Sequence, residues 1–190
     1  ACLWAARVST KGEQSLEDVD ADAERSKGLI NYLMRDRHGG YDADTEVTIT
    51  AGATQAILTA VLCCVHPGDE VIVLEPCYDS YQPNIELAGG VVVRVPLDPG
   101  TFRPNFGAIA AAITPRTRAI MVNSPHNPSA TVWTVAEMQQ LAELLAPTNI
   151  LLISDEVYEH MVYDGAPHIS AAVVMLGHIA LAILPGLTGV

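Results

Sequence analysis

Four short stretches of this chain hold residue types whose order suggests ligand chemistry. Thr50-Ala-Gly-Ala-Thr-Gln55 is a turn of small residues opening onto an apolar run. Small side chains let a phosphate approach the backbone, and a helix starting there offers unpaired N–H groups and partial positive charge. The same text also serves as a plain structural turn. Glu75-Pro-Cys-Tyr-Asp-Ser-Tyr81 places two tyrosines after an apolar stretch. An aromatic there either stacks on a flat heteroaromatic ring or fills the core. Asn123-Ser-Pro-His-Asn-Pro-Ser-Ala130 holds Asn127 between His126 and Pro128, in a loop stiffened by proline. Such a loop fixes one amide donor in place. Ser154-Asp-Glu-Val-Tyr-Glu-His160 puts Asp155 at the end of an apolar run. A buried carboxylate needs a partner, and a protonated pyridine nitrogen would serve.

The intervening text predicts the elements that carry these stretches. A helix is expected over 29–38, ended by Gly39-Gly40, and a short strand over 47–50. A helix over 54–66 is apolar nearly all round and expected to be buried, with Cys63 and Cys64 as buried thiols. Strands are expected over 70–74, 91–95, 118–122 and 150–154. Between them come helices over 81–88, over 105–113 with Asn105 as its cap, and over 134–145. The last opens on a capping box, Thr134 with Glu137. Strands alternating with helices imply right-handed crossovers, a mainly parallel sheet and an α/β/α sandwich. Ligands of such sheets bind beyond the carboxyl ends of the strands, where all four stretches fall.

Composition narrows the partners. The chain has 190 residues, 49% hydrophobic and 17% charged, enough for one domain with a true core. Ten basic residues face 22 acidic ones, giving −12, and no Lys/Arg cluster exists, so nucleic acid is not an expected partner. The four cysteines form no C-x-x-C pair, and the opening residues carry no signal-peptide pattern, so a reducing cytoplasm is the expected compartment. His126, His160 and His168 show no metal-ligand spacing and are expected on loops or at the surface. Residues 1–28 read as an acidic, poorly ordered arm. Residues 171–190 contain no Asp, Glu, Lys or Arg. That tail is long enough to span a bilayer, but His178 and Pro185 interrupt it and no Lys or Arg flanks it, so a membrane is not the expected partner. A buried helix or a stretch of disturbed reading frame is expected instead.

Taken in order, ITAGATQAI, GDEVIVLEPCYDSYQP, NSPHNPSATVW and ISDEVYEHMVY resemble the large domain of class I and II aminotransferases of fold type I. The similarity is greatest to the methionine and kynurenine (glutamine transaminase-like) group and covers about residues 29–170. The resemblance implies pyridoxal 5'-phosphate as cofactor, amino acids of methionine, glutamine, aromatic or kynurenine type and 2-oxo acids as substrates, and a homodimer. It implies that Gly52, Ala53 and Thr54 cradle the phosphate and that Tyr78 stacks on the pyridine ring. Asn127 and Tyr158 would hold the ring's phenolic oxygen, and Asp155 would pair with the ring nitrogen. The family also uses a lysine, in an S-S-F-[SG]-K-type segment downstream of S-D-E-V-Y, as nucleophile and proton shuttle. This chain has only Lys11 and Lys27, both upstream of every cofactor stretch. No catalytic residue is therefore assigned, and the chain is expected to be a partial large domain that is inactive alone. A non-catalytic cofactor-binding or regulatory module, a tail-anchored protein, and another fold-type-I enzyme such as a carbon–sulfur lyase are the competing expectations.

Overall fold

Glu70–Glu75 (β1), Thr117–Asn123 (β3) and Leu151–Asp155 (β4) each carry an unbroken apolar run, as a strand buried on both faces does. In the computed structural model, which describes residues 48, 50, 52–174 and 180–183, these three strands are adjacent in the centre of one sheet. Among the described residues the sheet has five strands in the order β2-β1-β3-β4-β5, with β2 at Val91–Pro96 and β5 at Ala180–Ile183, and all four pairings are parallel. Side chains alternate between its faces along each strand. Val71, Val73, Met121 and Ile153 point to one face, packing with Ala56, Ile57, Val61, Tyr81 and Ile85. Ile72, Leu74, Ile120 and Leu152 point to the other, packing with Ile109, Met138, Leu141 and Leu145.

The two faces are covered by different helices. Ala53–Cys64 (α1) and Tyr81–Leu87 (α2) supply the first layer. Phe106–Ala112 (α3), Val135–Leu145 (α4) and Ala171–Val174 (α5) supply the second, so the α/β/α sandwich is the observed fold. Local sequence starts these helices as expected. The Asn105 side chain accepts from the Ala108 N–H, and Thr134 with Glu137 forms the complete capping box.

Some expectations are corrected. The expected helix over 29–38 and the acidic arm lie outside the described residues; of the expected strand over 47–50 only residues 48 and 50 are described, and neither is in a strand. Helix α1 is not buried all round. Its Ala56, Ile57, Ala60 and Val61 stripe is, but Leu62 is half exposed, Cys63 is exposed and Cys64 is only half-buried. Only one stripe of a helix in an outer layer can face the sheet, whatever its composition. In the apolar tail, Ala171–Val174 is a helical turn, and Ala180–Ile183 pairs with Leu152–Asp155 as an edge strand rather than forming a helix. Among the described residues no helix is long and apolar enough to cross a membrane.

Candidate active site at the strand ends

Strand β1 continues to β2 on one side, whereas β3 pairs on β1's other side. The chain therefore reverses direction across the sheet between β1 and β3, which opens a crevice beyond their carboxyl ends. The loops 76–80 and 124–134 line that crevice, and Asp155, the last residue of β4, stands beside it in register with Asn123.

Asp155 is buried, 4% exposed. Its Oδ2 accepts from the Tyr81 hydroxyl at 2.6 Å, and its Oδ1 accepts from the Val157 N–H at 3.2 Å. Burial pushes the carboxyl above the usual aspartate range, while the Tyr81 and Val157 donors pull it back part of the way. The Tyr81 phenol is held well above its ordinary value, first by burial and then by the Asp155 charge it faces, so it remains a donor. Tyr81 is also the first residue of α2, and its ring meets Tyr78 edge to face at 5.7 Å between centroids.

The loop after β3 is tied to the same point. Asn123 Nδ2 donates to the Asp155 carbonyl at 2.8 Å, and Asn123 Oδ1 accepts from the Asn127 N–H at 2.6 Å. The Asn127 side-chain amide, half-buried, makes no hydrogen bond among the described residues. His126 is buried and bridges two loops: Nε2 lies 2.9 Å from the Pro76 carbonyl and Nδ1 lies 2.6 Å from Ser129 Oγ. A carbonyl only accepts, so Nε2 carries the proton and, in the neutral ring, Nδ1 accepts from Ser129. Burial lowers the His126 pKa and favours that neutral form. Trp133 N–H donates to Ser124 Oγ at 3.0 Å and closes the loop. A small cavity between the two loops is lined by Cys77, Tyr81, Asn123, His126 and Trp133.

Among the described residues, the remaining expected residues make no hydrogen bond to this group. Gly52 is the residue before α1, at φ 114°, with no side-chain cap. A Cβ built on it would meet nothing within 4 Å, so the space over it is open. Ala53 packs on the same apolar cluster as Cys77 and Tyr78, while Thr54 is exposed. Tyr158 lies half-buried in the turn after β4, close enough to act on the Tyr81 phenol electrostatically.

His126 and His168 lie on loops, as expected, though neither is exposed. His126 is buried in the crevice, and His168 is nine-tenths buried beside Glu156. Glu156, Glu159 and His168 bring potential ligand atoms within 4.8 Å of one another. Yet Glu156 is already bonded: Oε1 accepts from Ser154 Oγ and the Ala171 N–H at 2.9 Å each, and Oε2 faces His168 Nε2 at 3.0 Å. A carboxylate so engaged is a clamp that fastens residues 168–171 to the end of β4. Tyr81, Asn123, His126 and Glu156 escaped the sequence reading. All four lie inside the quoted motifs, but only the helix start at Tyr81 and the strand register decide which of them face Asp155.

A parallel α/β sandwich whose switch-point crevice ends in a buried aspartate has the architecture of a ligand-binding α/β domain. Comparison with known proteins narrows it. The family model described as "Aminotransferase class I and II" matches residues 7–187, and the chain belongs to that family, whose enzymes depend on pyridoxal phosphate. It is 49% identical over 143 residues to the probable N-succinyldiaminopimelate aminotransferase DapC of Mycobacterium tuberculosis, covering 73% of this chain and 36% of that protein. It is 47% identical over 159 residues to the methionine aminotransferase of Escherichia coli K12, covering 84% and 39%. Among solved structures, the Escherichia coli methionine aminotransferase YbdL superposes with a TM-score of 0.80 at 42% identity, covering 86% of this chain and 43% of that one. The chain thus spans well under half the length of the curated relatives it matches.

Proposed function

We propose that this chain forms the pyridoxal 5'-phosphate cradle of an aminotransferase that exchanges an amino group between an amino acid and a 2-oxo acid. The observation that carries this reading is Asp155, a carboxylate buried at the strand end with one side-chain donor, facing the crevice between two stiffened loops. Its free lone pairs suit a protonated ring nitrogen. Tyr78 offers its ring to one face of the cofactor, and the unengaged Asn127 amide and the Tyr158 hydroxyl suit its phenolic oxygen. The open space at Gly52 and the uncapped start of α1, with Ala53 and Thr54, suit the phosphate. When bound, the cofactor supplies an electron-withdrawing ring that stabilises charge developing at the amino acid's Cα. The chain's own residues hold that ring, keep water from its nitrogen side and keep a negative charge against it.

The relatives are named for succinyldiaminopimelate, methionine and kynurenine. The shared cradle therefore does not select the amino acid, and methionine, glutamine, aromatic and kynurenine-type substrates all suit it. A homodimer in a reducing cytoplasm is the assembly and compartment proposed.

Equilibrium dialysis of the 190-residue chain against pyridoxal phosphate tests the cradle. Asp155→Asn is expected to weaken binding by roughly tenfold or more, the loss of one charge-assisted hydrogen bond. Absence of binding by the unaltered chain, or equal binding by the variant, would overturn the reading.

A further inference from the structure

Tyr81 belongs to none of the cofactor roles given above, yet it touches two of them. Its hydroxyl donates to Asp155 at 2.6 Å, and its ring packs against Tyr78 in a T-shaped contact, 5.7 Å between centroids at an interplanar angle of 87°. The side chain is 2% exposed and wedged among Ile57, Val73, Ile85 and Met121 of the first core layer, so it cannot swing aside without opening that core. We propose that Tyr81 is a positioning residue which holds Asp155 as an ionised carboxylate aimed into the crevice and sets the plane of the Tyr78 ring. This deepens the cofactor reading and rests on it.

The physical case runs through desolvation. A carboxylate this buried favours its neutral form unless donors stabilise the charge. Two donors reach the Asp155 carboxylate among the described residues, and one of them, the Val157 N–H, comes from its own chain two residues on at a longer 3.2 Å. Tyr81 supplies the short bond, from a different element. A neutral Asp155 could no longer enforce protonation of a ring nitrogen opposite it, so losing this hydroxyl should matter beyond the loss of one bond. The other titratable groups acting on the pair are Cys77 on the loop after β1, Glu156 and Tyr158 after β4, and His126 across the small cavity. Glu156 is held by Ser154, Ala171 and His168, and His126 by Pro76 and Ser129. None of these takes the place of the Tyr81 hydroxyl.

The test uses the full chain with Tyr81→Phe, which keeps the ring and removes the donor. Two readouts separate this inference from the cofactor reading. The first needs no cofactor: carbon-13 NMR of the aspartate carboxyls, with the Asp155 resonance identified by its absence in Asp155→Asn. In Tyr81→Phe the Asp155 titration should move to higher pH. The second is pyridoxal phosphate affinity against pH. Tyr81→Phe should weaken it roughly ten- to a hundredfold near neutrality, as loss of a hydrogen bond to a charged group implies. The pH below which binding fails should rise, and the Tyr81→Phe/Asp155→Asn double variant should bind no worse than Asp155→Asn alone. Should Tyr81→Phe fail to fold, 3-fluorotyrosine at position 81 keeps the ring with a stronger donor, and the Asp155 titration should then move to lower pH. If the chain binds no cofactor but the titration moves as stated, the cofactor reading falls and the Tyr81–Asp155 coupling stands. An Asp155 titration unmoved in the folded variant, or an affinity profile identical to the unaltered chain, overturns the inference.

Discussion

His126 shows how a single buried side chain couples loops far apart in sequence. Its ring joins the Pro76 carbonyl to Ser129 and so holds the Tyr78 loop against the Asn127 loop. Burial lowers its pKa below the ordinary 6.5. Between that lowered value and 6.5 the unfolded chain binds more protons than the folded one, so stability rises with pH in that window. The contribution is fully present above 6.5 and lost as pH falls through the lowered value. Urea midpoints compared between about pH 7.5 and 5.5 should fall more steeply for the unaltered chain than for His126→Gln. Equal slopes would remove His126 as the cause. Glu70 is shifted in the same direction for a different reason, because its charged form is favoured. The Thr114 hydroxyl, donating at 2.5 Å, and the Arg116 guanidinium hold its carboxyl below the usual glutamate range. That pairing is lost only when acid protonates it.

At the scale of elements, the junction between α2 and β2 is set by space. Gly90 follows α2, and its N–H bonds the Ile85 carbonyl at 2.9 Å. A Cβ added there would lie 2.7 Å from Val65 Cγ1 and 2.9 Å from Ile85 Cγ2, both on buried side chains. Gly90→Ala should therefore cost about 1–3 kcal/mol, since overpacking a close-packed junction forces its neighbours to move. Thermal unfolding measures it, and a variant as stable as the parent would show that α2 can shift freely. Such a shift would also be felt at Tyr81, at the other end of the same short helix. The loop preceding α3 is tied to the start of α4 by Arg103, which donates to the Val132 carbonyl at 2.9 Å and pairs with Glu137 at 3.0 Å. That links the capping box to the loop ending at Trp133.

The described residues gather the proposed cradle, and none of them is a lysine. Both lysines, Lys11 and Lys27, precede every cofactor motif in the sequence. A transaminase needs a nucleophile and general base at the cofactor, and their loss costs several orders of magnitude in rate. The purified 190-residue chain is therefore expected to bind pyridoxal phosphate and yet show no transamination. A coupled assay with methionine and a 2-oxo acid that returned an ordinary turnover number would refute this.

Much of this was legible in the sequence. Short runs rich in β-branched and other apolar residues, bounded by turn residues, located β1 to β4, because that length and composition favour strands. Asn105 and Thr134–Glu137 marked two helix starts, because capping is a local interaction. Asp155 stood out as a carboxylate ending a buried strand, and Asn127 as an amide between prolines. The tertiary structure decided what local pattern cannot. It chose which stripe of α1 is buried, because an apolar helix carries no record of which side its sheet lies on. It turned Ala180–Ile183 into an edge strand, because short apolar runs fit either a helix or a strand until a pairing partner is in place. It also brought Tyr81 to Asp155 across 74 positions of sequence. That contact exists only because parallel β1 and β4 end at the same level of one sheet, with α2 starting above them.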